Sequence, residues 1–149
     1  MLLKEICVLD VTCCARTARI SEAARLMRQH HTGDLVIVDA PDADRAPVGI
    51  LTDRDIVVEV LANGLDPTET TVSQVMSSRL VVASGTEDAS DAIDRMRQHG
   101  VRRMPVIDHD GSLMGIVTLD DLLRMHAAQA TAMASIVSTE QAREYRAKR

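Results

Sequence analysis

A chain of 149 residues that is 46 % hydrophobic and 26 % charged has the make-up of one compact globular domain, able to bury roughly two-thirds of its unfolded surface. Its net charge of −5 and its single aromatic residue, Tyr145, argue against a nucleic-acid surface, which needs concentrated basic charge and, for single strands, stacking rings. No apolar run approaches the roughly twenty residues of a membrane span, and three cysteines without a CxxC spacing fit a reducing, cytoplasmic compartment better than a disulfide framework.

The elements follow in chain order. Ile6 to Val11 reads as a short β-like segment, and Glu5 interrupts the apolar start that could mimic a signal peptide. Ala23, Ala24, Leu26 and Met27 mark one face of a helix that ends near His30. Leu35 to Val38 is the continuous apolar run of a buried strand, and Ala40 to Pro47, rich in Pro, Asp and Ala, is a loop. A strand ends at Ile50 and Leu51, and a helix opens at Thr52 and carries Ile56, Val57, Val58, Val60 and Leu61. Asn63 to Pro67 is a helix stop and a linker. The second half gives a β-like Leu80 to Ala83, a helix with Ala92, Ile93 and Met96, and a strand from Met104 to Ile107. A hairpin turn follows at Asp108 to Gly111, with Gly111 at positive φ, then a strand from Leu113 to Val117 and a helix from Thr118. A tail helix, Ala127 to Arg149, carries Met133, Ile136 and Val137 at helical spacing and a basic end at Arg143, Arg146, Lys148 and Arg149. It reads either as a solvated helix or as a dimer contact or partner hook. Without Phe or Trp, the core must be built of Val, Ile, Leu, Met and Ala.

The two halves are copies. Met27 to His30 repeats as Met96 to His99 at an offset of 69 residues, which also aligns Thr17 with Thr86, Ser21 with Ser90, Ala23 with Ala92 and Ile6 with Val75. Gly49 to Thr52 repeats as Gly115 to Thr118 at an offset of 66, so the first copy holds three extra residues in the Ala40 to Pro47 loop. Each copy is β-α-β-β-α, too small to stand alone comfortably, and the two should share a core.

The sharpest motif is Gly49-Ile50-Leu51-Thr52-Asp53-Arg54-Asp55, repeated as Gly115-Ile116-Val117-Thr118-Leu119-Asp120-Asp121. Both read G-h-h-T-x-x-D. Thr-x-x-Asp is nearly a capping box, which satisfies free N–H groups at a helix start. The same geometry suits a phosphate at the N–H groups and a ribose at the carboxylate. Other chemistry is poorly supplied. His30 and His99 sit where a helix dipole favours them, Cys13 and Cys14 fit small core residues, and no P-loop, dinucleotide, zinc-protease or nucleophile-elbow signature occurs.

A tandem G-h-x-T-x-x-D at the end of β-α-β-β-α units resembles the CBS-domain pair, or Bateman module, over roughly Leu3 to His126. Thr71 to Met76 is similar to that family's lead-in to its second repeat, and Val101 to Asp108 to its approach to the hairpin. The resemblance implies an α+β fold of two CBS repeats with pseudo-two-fold symmetry, the first over residues 1–66, the second over 67–126, and a helical tail over 127–149. It implies a non-enzymatic sensor that needs no cofactor and binds an adenine nucleotide as regulatory ligand, with an unfilled interaction or oligomerisation scaffold as the alternative. It places Thr52 and Asp55 in one cleft and Thr118 and Asp121 in the other, with aliphatic residues against the adenine. Arg102 and Arg103 match positions where the family, as in the regulatory subunit of AMP-activated protein kinase, often sets basic residues near phosphates, a reading favoured here over that of an exposed charged turn before a strand. They are assigned here to the Asp121 cleft, with the alternative that one cleft is built from both repeats, as the family allows. Gly33 and Asp34 stand at the same place in the first copy, so the clefts should differ. Arg54 could swing toward an anion or be a solvated helix residue. The partners implied are a second copy of the chain, through the helices after the T-x-x-D motifs, and an unknown regulated protein, with no nucleic acid and no membrane.

Overall fold

The computed structural model describes residues 1–39, 45–77 and 79–147. In chain order these form α1 (Leu3–Ile6), β1 (Cys13–Ala15), α2 (Ile20–His30), β2 (Asp34–Val38), β3 (Pro47–Thr52) and α3 (Asp53–Asp55), which continues as a π-helical segment (Ile56–Leu61). The second half forms α4 (Val72–Val75), β4 (Ala83–Ser84), α5 (Ala89–His99), β5 (Arg103–Ile107), β6 (Leu113–Thr118) and α6 (Leu119–Ala147). Two three-stranded sheets result, β1-β2-β3 and β4-β5-β6. In each, the first pair of strands is parallel and the second antiparallel, with a bulge at the same place, Ile37/Val38 and Val106/Ile107.

Strand β2 explains how the repeats join. Leu35 and Ile37 point into a core with Ile20, Ala23 and Met27 of α2, while Val36 and Val38 pack on Ile116 of the other repeat. All four have no exposed surface, so the unbroken apolar run is that of a strand covered on both faces. The second core, built from Ala92, Met96, Met104, Val106, Val117 and Leu122, mirrors the first. The molecule is an α+β tandem of two β-α-β-β-α repeats related by a pseudo-two-fold.

Several sequence expectations are corrected. Ile6 to Val11 is not the first strand: Leu3–Ile6 is a helical turn, Val8 makes one isolated bridge to Ile116, and the strand lies at Cys13–Ala15. Only Ala83 of the Leu80 to Ala83 segment is in a strand, because Ala83 and Ser84 are the residues that pair with Val106 and Ile107. The tail is the continuation of the helix that begins at Leu119, and every described residue beyond Met125 is exposed. Gly111 and Gly64 take positive φ, 84° and 66°, as the turn and the helix stop require. Ala40 to Asp44 of the inserted loop, and Lys148 and Arg149 of the basic end, lie outside the described residues.

The helical turns α1 and α4 are exchanged. Leu3, at the head of the first copy, is fully buried in the second core; Val72, at the head of the second, is fully buried in the first. Burial of side chains of this size contributes about 1.5–3 kcal/mol each. Backbone bonds hold the exchange: Leu3 N–H to Glu87 (2.9 Å) and Val8 N–H to Ile116 (2.9 Å), and reciprocally Val72 N–H to Ala18 (2.8 Å) and Ser77 N–H to Ile50 (3.0 Å). The crossing chain runs so close that a Cβ at Gly115 would lie 2.6 Å from the Val8 carbonyl oxygen, and one at Gly49 would lie 2.7 Å from Met76 Sδ. The exchange therefore requires a glycine at position 115, where the obstacle is backbone, whereas at Gly49 the nearest atom is a flexible side chain and the nearest backbone oxygen, of Ser77, is 3.1 Å away. Gly115→Ala should cost about 1–3 kcal/mol, as overpacking against backbone does. Chemical denaturation followed by circular dichroism checks this, and an unchanged midpoint would refute so close a crossing.

Candidate functional site

The capping geometry expected of T-x-x-D is present twice. Asp55 N–H donates to Thr52 Oγ1 (3.1 Å) and Thr52 N–H donates to Asp55 Oδ2 (2.8 Å). In the second copy Thr118 donates to Asp121 Oδ2 from its N–H (3.0 Å) and its hydroxyl (2.6 Å), and accepts from Asp121 N–H (3.2 Å). The spare oxygens differ. Asp121 Oδ1 accepts from Arg124 at 3.1 Å, whereas Asp55 Oδ1 has no partner among the described residues.

Two cavities open beside these caps. Cavity A, about 330 Å³, joins Thr52 and Asp55 of one repeat to Ser77, Arg79, Arg102 and Arg103, with Ile50, Leu80, Val81 and Val101 as apolar wall. Cavity B, about 270 Å³, joins Thr118 and Asp121 to Asp10, Thr12, His30, Thr32 and Asp34, with Val8, Val11 and Ile116 as its wall. At the repeat offsets, Ser77 matches Val8, Arg79 matches Asp10, and Arg103 matches Asp34. The cavities are thus one architecture with opposite charge. Three guanidinium groups surround A, and three carboxylates surround B.

The assignment of Arg102 and Arg103 to Asp121 is corrected: both line the cavity of Thr52 and Asp55. The exchange is the physical reason. The crossing segments run along β3 and β6, and each cavity joins a cap to the strand start of the other repeat. The backbone of each cap also bonds its own strand start, Asp53 N–H to Gly33 (2.9 Å) and Leu119 N–H to Arg102 (2.8 Å). Arg102 is 73 % exposed and only 4.0 Å from Asp120, a loose surface pair. Arg103 donates through Nη1 to Asp34 across the repeats, and this pair is tighter and more sheltered, with side chains 32 % and 23 % exposed. Arg54 is exposed and lines neither cavity. Sequence reasoning missed Arg79 and Asp10, although the repeat offset that aligned His30 with His99 also sets these opposite charges against each other.

Burial pushes the Cys14 thiol up, and burial followed by the nearby Asp121 charge does the same at Cys7, so both are neutral thiols at pH 7. Among the described residues no three His, Cys, Asp or Glu side chains are grouped to hold a metal ion, and no helix is long and apolar enough to cross a membrane.

The family model described as CBS domain matches the chain twice, at residues 3–62 and 72–127. Hypoxic response protein 1 of Mycobacterium tuberculosis is 37 % identical over 121 residues, covering 81 % of this chain and 82 % of that protein. An uncharacterised Methanopyrus kandleri protein is 35 % identical over 121 residues; the match covers 81 % of this chain but only 60 % of that relative. Among solved structures, Hypoxic Response Protein I with two coordinated zinc ions superposes with a TM-score of 0.73 at 35 % identity, over 83 % of this chain and 98 % of that one. A CBS domain protein of Pyrobaculum aerophilum complexed with AMP gives 0.73 at 25 % identity, over 81 % and 89 %. The CBS domain pair of protein MJ0100, in complex with 5'-methylthioadenosine and S-adenosyl-L-methionine, gives 0.74 at 26 % identity, over 87 % and 98 %.

Because the Asp55 and Asp121 carboxylates cap helices, Asp55→Ala and Asp121→Ala should each lower stability by about 1 kcal/mol with no ligand added. Thermal melts of the two variants check this. Two unchanged melting curves would mean that the carboxylates do not serve as caps.

Proposed function

The chain belongs to the CBS-domain family, and from that premise we propose that it is a non-catalytic cytoplasmic sensor that binds a phosphorylated adenine nucleotide in cavity A. The observation that carries this reading is the meeting of the Thr52 and Asp55 helix start with Arg79, Arg102 and Arg103 in one cavity. In this reading Asp55 keeps Oδ2 on its own cap and offers Oδ1 to the ribose hydroxyls. Adenine lies against Ile50, Leu80, Val81 and Val101, an aliphatic sandwich that suits a chain without Phe or Trp. Phosphate oxygens meet the guanidinium groups, whose planar forks match them bidentately. The structural relatives with AMP and with adenosyl compounds support the adenosine half of the reading, since adenosine is what those ligands share. Cavity B, with Asp10, Asp34 and Asp121 on its wall, disfavours phosphate by the same electrostatics.

Calorimetric titration with adenosine, AMP and ATP, accompanied by product analysis, tests this. AMP and ATP should bind more tightly than adenosine, and their advantage should shrink with added salt. Asp55→Ala should weaken AMP by about 1.5–3 kcal/mol, the value of a hydrogen bond to a charged group, while Asp121→Ala leaves it nearly unchanged. Absence of any response at millimolar concentration would favour the empty scaffold, and steady hydrolysis would overturn the non-catalytic reading.

The same reading includes a homodimer. Val57, Val58, Leu61 and Leu123, on the helices that follow the two T-x-x-D motifs, are 53 %, 42 %, 73 % and 57 % exposed, more apolar surface than one chain covers. Light scattering coupled to size exclusion should give about twice the 16.2 kDa chain mass, and a clean monomer peak would refute the dimer.

A further inference from the structure

We propose that Asp34 is a specificity-determining residue that competes with phosphate for Arg103 and so restrains the affinity of cavity A for phosphorylated ligands. The inference rests on the nucleotide reading above and goes beyond it.

Arg103 is on the wall of cavity A and Asp34 on the wall of cavity B, and the two are joined through Arg103 Nη1 and Asp34 Oδ2. Both also border a small space of about 100 Å³ between the cavities, together with Arg102 and Thr118. With only 32 % and 23 % of their side chains exposed, they are screened less than the surface pairs of this chain, such as Arg97 with Asp94 at 77 % and 60 %. A phosphate arriving in cavity A has two ways to use Arg103. It can take the guanidinium from Asp34, leaving a half-buried carboxylate without its partner, which is costly. Or it can bind the remaining N–H groups while Asp34 stays, and then two anions share one cation. Either way Asp34 subtracts from the binding of phosphate and leaves adenosine, which carries no charge, unaffected.

The repeat makes the effect asymmetric. Asp34 stands at the position of Arg103 in the other copy. One residue therefore both deprives cavity B of a cation and restrains the cation of cavity A. When phosphate draws Arg103 away, the released carboxylate makes cavity B more hostile to a second phosphate, so the chain should take one phosphorylated nucleotide and not two.

The test is a double-mutant cycle by calorimetry on the full chain: wild type, Asp34→Asn, Arg103→Gln and the double variant, each titrated with AMP, adenosine and inorganic pyrophosphate. Asn is isosteric with Asp, and Asp34→Ala serves as a second removal of the charge; circular dichroism monitors folding. The expected result is about tenfold tighter AMP and pyrophosphate for both Asp34 variants, adenosine within about twofold of wild type, and no gain on the Arg103→Gln background. One AMP per wild-type chain is expected. Unchanged AMP and pyrophosphate in the Asp34 variants, or an equal gain for adenosine, would overturn the proposal. If pyrophosphate tightens while no adenine compound binds any variant, the nucleotide reading fails and the competition by Asp34 stands.

Discussion

At two motif glycines a chain segment of the other repeat passes almost in contact with Cα, 2.6 Å from a Cβ at Gly115 and 2.7 Å from one at Gly49. Gly115 and Gly49 lie under chain segments that cross from the other repeat, Val8 over the first and Met76 with Ser77 over the second. Everything that follows depends on that closeness. It lets Leu3 and Val72 reach cores that are not their own, and it brings the residues just past each crossing to the foreign cap. Asp10 and Arg79 reach their cavities in this way, beside Asp121 and Asp55. A cavity built from two repeats is thus a by-product of how the repeats are held together.

Once the scaffold is fixed, charge differentiates its two copies. The T-x-x-D polar groups are largely consumed in capping, so what a ligand meets is the spare oxygen of Asp55 and the charges brought in by the crossing segments and strand starts. Where one copy presents Arg79, Arg102 and Arg103, the other presents Asp10, Gly33 and Asp34 at the same offsets. None of these side chains belongs to a buried apolar cluster, although Asp34 shares a face of β2 with Val36 and Val38 of the cluster between the repeats. Specificity can therefore change without disturbing the fold.

Local signals in the sequence were legible. The repeat offset, the buried run Leu35 to Val38, the caps at Thr52 and Thr118, and the positive-φ glycines Gly64 and Gly111 each depend on residues within one turn or one strand. The first strand was misplaced because Cys13 to Ala15 carries none of the β-branched residues that mark a strand, whereas Val8 and Val11 do; only parallel pairing with Val36 to Val38 defines it. The cleft that Arg102 and Arg103 line is not legible in the sequence because the exchange is a long-range fact, set by contacts such as Leu3 with Glu87 that no periodicity encodes. Arg79 and Asp10 were hidden for another reason. Each is a lone charge beside an apolar segment, and its meaning appears only when the copies are compared for opposition instead of identity.

The exchange also orders events in time. Leu3 is synthesised before the rest of the repeat pair, yet the core that receives it includes Met104, Val117 and Leu122, about a hundred residues further along the chain. The first repeat likewise lacks Val72 until the linker has been synthesised, so it cannot close its own core when it emerges. Non-local contacts of this kind slow folding and leave apolar surface uncovered meanwhile. The nascent chain must hold the Leu3–Ile6 turn unplaced until almost the whole repeat pair exists, and the two cores are then completed together.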